Sequence, residues 1–201
     1  ALFQIPFGFL SDRYGRKRMI YIGLLVFAAG SAVAALADSI YGVILGRALQ
    51  GGGAVSAAVM ALAADLTREE HRIKVMAMIG VTIGVSFAAS MILGPVLNGW
   101  VGVPGIFWLT GLFALLGIAV VRFGVPDPVS SRVHRDAEPV ASQFGRVLFD
   151  GQLLRLNFGI FTLHLLLTAT FVAVPLALRD AGFPSDQHWE VYLPALLFSM
   201  V

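Results

Sequence analysis

Apolar residues lie along this chain in long unbroken runs. Five of them, 19–36, 40–64, 75–97, 105–123 and 156–178, can each cross the ~30 Å hydrocarbon core of a bilayer as a helix. None alternates with a period of two, so the spans are read as helices and not as barrel strands. Two shorter apolar runs, 1–10 and 192–201, lie at the ends, and each supplies about half a span. The expectation is an internal portion of a longer polytopic protein. Between the fourth and fifth spans lies a charged stretch broken by Pro126, Pro128 and Pro139, with room for a short amphipathic helix at 143–150. The expected organisation is a first helical bundle at 1–123, a linker at 124–152, and the start of a second bundle at 153–201. The fold class is all-α integral membrane.

Composition strengthens that reading. Apolar residues make up 58% of the 201 and charged residues 13%, where soluble domains carry about 25%. Mean hydropathy is +0.83. The absence of cysteine excludes disulfides, thiolate metal sites and thiol nucleophiles. A net charge of +2, with its cations in short clusters, does not describe a nucleic-acid binder.

The distribution of those cations sets an orientation. Arg13, Arg16, Lys17 and Arg18 fill the first connection; Arg68, Arg72 and Lys74 fill the third. Arg122, Arg132, Arg135, Arg146 and Arg155 lie in or beside the fifth. The opposite connections carry Asp38, no charge from Asn98 to Gly105, and then Arg179, Asp180, Asp186 and Glu190. By the positive-inside rule, the basic connections and the linker are cytoplasmic.

The first connection reads Gly8-Phe-Leu-Ser-Asp12-Arg-Tyr-Gly-Arg16-Lys17-Arg18. A solvated basic turn would explain the cations, but not Asp12 at the membrane edge or Gly8 one helical turn before it. This string resembles the loop 2–3 signature of the major facilitator superfamily. The resemblance implies a twelve-helix fold, of which the chain would cover the end of helix 2 to the start of helix 8. It also implies that Gly8 permits close packing of helix 2 on helix 11, and that Asp12 faces the positive N-terminal end of helix 11. Arg16 would pair with Asp65 at the cytoplasmic end of helix 4. Gly8, Asp12, Arg16, Lys17 and Asp65 would then form a cytoplasmic latch between two bundles in the outward-facing state.

A second motif, Arg47-Ala-Leu-Gln50-Gly51-Gly-Gly-Ala, lies inside a span. It fails as a phosphate loop, because no strand precedes it and no lysine follows. A charge at this depth costs about 2.5–3.5 kcal/mol on insertion scales, so Arg47 should face an interior cavity and have a partner. The glycines supply a face for close helix contact. The string resembles the helix 4 signature of proton-coupled members of the superfamily, which implies a role in proton coupling for Arg47, Gln50 and Gly51. No acid for Arg47 to tune is apparent in the sequence.

In the third span, Gly80, Gly84, Gly94-Pro95 and Gly99 describe a small-residue helix that Pro95 should bend. By resemblance, Gly84, Gly94, Pro95 and Gly99 match the antiporter motif of the drug/proton antiporter branch, with Ser90 where that branch usually carries glycine. In the last span His164 and Thr168 share one helix face and could line a cavity, although hydrogen bonds between helices explain them equally well. His71, His134 and His188 show no metal-ligand spacing. Trp100, Trp108 and Trp189 fall where interfacial anchors belong. The outer segment from Asp180 to Pro194 adds likeness to a drug-efflux subgroup of the superfamily.

The spans hold no convergent nucleophiles, metal ligands or acid–base pairs, so the chain is not expected to be an enzyme or to need a cofactor. The expectation is a monomeric, multi-pass transporter of the bacterial inner membrane. Its partners would be a small-molecule substrate, protons and lipid, with antiport of drugs as the activity. A symporter or uniporter of a small metabolite would share the fold.

Overall fold

The structure, a computed structural model, describes residues 4–53, 55–127, 149–184 and 187–199. These residues form α1 (Gln4–Tyr14), α2 (Arg16–Ala35), α3 (Ile40–Gly52), α4 (Ser56–Asp65), α5 (Glu69–Phe123), α6 (Gly151–Asp180) and α7 (Trp189–Ser199), with no strand among them. The chain divides into two compact units, residues 1–131 and 132–201. The segment 143–148 of the expected amphipathic helix and most of the expected linker lie outside the described residues.

Among the described residues four segments are long and apolar enough to cross a membrane: Arg16–Ala35, Ile40–Asp65, Glu69–Phe123 and Gly151–Asp180. Three of their boundaries correct the sequence expectation. The first connection is a single residue. α1 runs through Asp12 and Arg13 to Tyr14, α2 begins at Arg16, and only Gly15 stands between them, at φ 96°. That backbone conformation is one that L side chains rarely adopt. Of the cations expected in a loop, Arg13 therefore lies in the last turn of α1, and Arg16, Lys17 and Arg18 occupy the first turn of α2.

The second correction concerns 40–64, expected as one helix. It is broken, with Gly53 capping α3 through its N–H to the carbonyls of Leu49 and Gln50, and α4 beginning at Ser56. Packing requires glycine at this break. A Cβ on Gly53 would collide with the carbonyl of Gly23 and lie 3.1 Å from Phe27 Cβ.

The third correction is that α5 passes through the expected outer connection without leaving the helix, except at Gly102 (φ 66°, ψ 177°). Fifty-five residues would extend about 80 Å if straight, far beyond one bilayer core, and Gly102 divides them into two runs of crossing length. Pro104 follows two residues later, inside the first turn of the second run, where a missing N–H costs nothing. The backbone angles at Pro95 stay helical, and the non-helical residue of α5 is Gly102, beyond the expected third span.

The first unit is organised around α2. Its N-terminal half meets α4 and the end of α5, where Ile20, Ala58 and Leu62 are buried with Leu24, Val121 and Val125 packed on them. Its C-terminal half meets α3 with backbones nearly touching. A Cβ on Gly30 would stand 2.6 Å from Gln50 N, and one on Gly46 would stand 2.7 Å from the Gly30 carbonyl oxygen. Gly23 and Gly53 form the next such contact along the antiparallel seam, each seven residues from its counterpart. Small residues permit this approach, and dispersion and weak polar contacts replace the hydrophobic driving force that lipid removes. Ser39 caps α3, its Oγ accepting from Gly42 N at 3.3 Å.

In the second unit Asp150 caps α6, its Oδ1 accepting from Gln152 N at 2.9 Å and Leu153 N at 3.0 Å. The helix is thus fixed several residues upstream of the apolar run that marks its span. Phe171 of α6 and Tyr192 of α7 bring their rings to 5.9 Å.

Candidate functional site

Two polar clusters lie in the first unit. The first surrounds the α1–α2 joint. Three cations at a helix N-terminus face the positive end of its dipole, an unfavourable placement that nearby carboxylates offset. Arg16 has the most partners. Its Nη1 forms an ion pair with Asp12 Oδ1 and donates to Ser11 Oγ at 2.8 Å, while Nε lies 3.1 Å from Asp65 Oδ2 at the end of α4. Ser11, 1% exposed, gives its own hydrogen to the Gly8 carbonyl at 2.6 Å, which leaves a lone pair for the guanidinium.

Lys17 turns to a different partner. Its Nζ donates to the Val125 carbonyl and pairs with Asp127 Oδ1 at 2.8 Å, just beyond α5. That hydrogen bond and charge, with help from Arg122, hold the Asp127 carboxyl below its ordinary pKa of 3.8. Gly8 packs on α4 of the same unit, where a Cβ would lie 3.9 Å from Ala57 Cβ. The structure thus brings Gly8, Asp12, Arg16 and Asp65 together. It adds Ser11 and Asp127, which sequence reasoning missed. Asp127 had no local signal, since its partner lies 110 residues away in the chain.

The second cluster is built on Arg47, eighth residue of α3. Arg47 Nη1 donates to Gln50 Oε1 at 2.8 Å, and Gln50 Nε2 donates to Ser31 Oγ on α2 at 2.7 Å. Ser31 Oγ donates to the Phe27 carbonyl at 2.9 Å and lies 3.4 Å from Thr110 Oγ1 on the second run of α5. The expected partner of Arg47 is therefore an amide. Among the described residues no carboxylate lies within ion-pair distance of it, and the residue is exposed within its unit and not enclosed in a cavity. Gly51, grouped with Arg47 by sequence, has open space around it; the glycines that meet the α2 backbone closely are Gly46 and the capping Gly53.

The remaining candidates stand apart. A Cβ on Gly84, Gly94 or Gly99 would meet nothing within 4 Å, so these glycines join neither cluster, and Pro95 lies on the same run of α5. On α6, His164 Nδ1 donates to the Ile160 carbonyl at 3.1 Å, one turn back on its own helix. Thr168 shares that exposed face.

The family model described as Major Facilitator Superfamily matches residues 1–201. The chain belongs to the major facilitator superfamily. This is a family of transporters and not of enzymes, and the apolar spans make the chain a multi-pass membrane protein. It is similar to the inner membrane transport protein YajR of Escherichia coli K12, 54% identical over 199 residues, which are 99% of this chain and 44% of YajR. It is 33% identical over 129 residues to a triacylglyceride transporter of Mycolicibacterium smegmatis, 59% of this chain and 22% of that protein. It is 34% identical over 105 residues to multidrug resistance protein 3 of Bacillus subtilis, 51% of this chain and 20% of that protein. The chain spans less than half the length of each of these relatives.

Proposed function

We propose that the protein containing this chain is a secondary active transporter that works by alternating access, exporting amphipathic small molecules against an inward flow of protons. The observation that carries the reading is Arg47. It is a cation within an apolar helix, held by an amide that cannot neutralise it, and so it retains a full charge with which to bias the protonation of a nearby group. The residues assigned to coupling are Arg47, Gln50 and Gly51.

Gly8, Asp12, Arg16, Lys17 and Asp65 are assigned to a latch whose other half would lie on a second bundle. The bundles would correspond to 1–123 and 153–201, joined by a cytoplasmic linker at 124–152. Gly84, Gly94, Pro95 and Gly99 would supply the close-packing face of an antiporter helix, and His164 with Thr168 would line the substrate path. The transporter is placed in the bacterial inner membrane as a monomer, with its basic connections cytoplasmic. The names of relatives, one a multidrug resistance protein and one a triacylglyceride transporter, favour an apolar or amphipathic cargo.

The test uses full-length protein in proteoliposomes, with a pH dye on the side of the basic connections. A panel of lipophilic cations and small metabolites is presented to the wild type and to Arg47→Ala. Antiport predicts that a cargo drives opposing proton movement, and that Arg47→Ala abolishes it. Proton movement in the same direction as cargo would make the protein a symporter, and cargo movement without protons a uniporter.

A further inference from the structure

Arg47 has several rotatable bonds and, among the described residues, no carboxylate to fix its position, yet its guanidinium is attached to a chain of polar groups with a single permitted direction. Arginine donates and never accepts, so the Gln50 atom facing it must be the carbonyl oxygen. The amide nitrogen then faces Ser31, and Ser31 Oγ must accept. Its one hydrogen is consequently spent on the Phe27 carbonyl. Thr110 spends its own hydrogen on the Phe107 carbonyl at 2.8 Å, so it stands beside this chain without reversing it. Gln50 and Ser31 are 5% and 0% exposed, so water cannot readily substitute for either partner.

From this geometry we infer that Ser31 is a positioning residue for Arg47, acting through the Gln50 amide. Ser31 lies on a different helix from Arg47 and outside either sequence motif. Removing its hydroxyl leaves the Gln50 amide nitrogen with no acceptor in a dry seam. The amide then loses the contact that defines which end it presents and where. Arg47 would keep its charge and lose its place. The inference rests on the proposed coupling role only for its consequence in transport; the positioning itself is a property of the three side chains.

The experiment uses full-length protein in lipid nanodiscs with ¹⁵N-labelled arginine. The Arg47 guanidinium signal is identified by its loss in Arg47→Lys, and its rotational exchange is measured. Ser31→Ala and Gln50→Leu should each speed that exchange about threefold to tenfold, as expected for loss of one hydrogen bond. The double variant should be no faster than Gln50→Leu alone. Ser31→Cys, nearly the same size and a weaker acceptor, should fall between and replaces Ser31→Ala if the latter does not fold.

An unchanged signal in the serine variants overturns the inference, and so does an additive effect in the double variant. Proton flux against pH is recorded for the same variants and for Arg47→Ala after reconstitution in proteoliposomes. If Arg47→Ala leaves that profile unmoved, the coupling reading fails, while the guanidinium signal still decides the positioning.

Discussion

The α2–α3 seam and the first run of α5 are both rich in glycine, and they use it in opposite ways. In the seam, Gly30 and Gly46 bring two backbones into contact, and a methyl group on either would stand within 2.6 Å of a backbone nitrogen. In α5, Gly80, Gly84, Gly94 and Gly99 meet nothing within 4 Å, and their apolar neighbours Ile73, Met78 and Val81 are 86%, 64% and 61% exposed. Glycine in an apolar helix thus marks a capacity for close approach. Whether that capacity is used depends on what stands opposite.

The sharpest way to break this comparison is to fill both places. Gly46→Val should cost about 3 kcal/mol or more, because the seam cannot part without disturbing the Gln50 contacts as well. Gly84→Ala meets nothing within its own unit, so its effect should stay near or below about 1 kcal/mol, and a loss beyond that would report packing of the proposed antiporter face against a helix outside the unit. Unfolding of the full-length protein in mixed micelles measures both. A large loss at Gly84 would mean that another part of the protein covers that face, and would erase the contrast.

Gly15 sharpens it by separating space from conformation. Like Gly84, it has nothing within 4 Å of a built Cβ, but its φ is 96°. Gly15→Ala should therefore cost about 1–3 kcal/mol through the backbone alone, readable in the same unfolding experiment.

Charges supply smaller terms at the end of the bundle where backbones do not touch. A double-mutant cycle on Arg16→Ala and Asp65→Asn should give a coupling of about 0.5–1 kcal/mol, since the side chains are 21% and 33% exposed. The Lys17–Asp127 pair is the weakest and carries a pH signature. The folded Asp127 carboxyl titrates below its ordinary 3.8, so the pair's contribution is present above about pH 4 and disappears as pH falls through the lower folded value. Melting temperatures of wild type and Asp127→Asn should differ slightly at neutral pH and converge on acidification. A gap that widened in acid would reverse the sign.

The sequence made the spans legible because each is a long apolar run, and it made Arg47 conspicuous because a charge in such a run is expensive. Arg16 and Asp65 could be paired only through a family resemblance, since 49 positions separate them. The breaks were hidden. A glycine triplet does not say which of its members ends α3, and Gly102 looks like any other glycine near a proline until its φ is known. Ser31 gave no warning either, as a serine in an apolar helix commonly bonds its own backbone, and this one does so too. The seven-residue spacing shared by Gly23 with Gly30 and Gly46 with Gly53 was a readable signal of the seam. It was obscured by the more conspicuous run at Gly51.

Because α1 and α2 meet at one residue, α1 is mechanically a short crank on a fixed pin. Its 11 residues give an arm of about 16 Å. A tilt of ~10° about Gly15 would sweep residue 4 through roughly 3 Å while Tyr14 and Arg16 hardly separate, their Cα atoms being tied through two trans peptides of ~3.8 Å each. The ion pair of Arg16 with Asp12 sits beside the pin, where travel is least, so it can survive motions that completely rearrange what the far end touches.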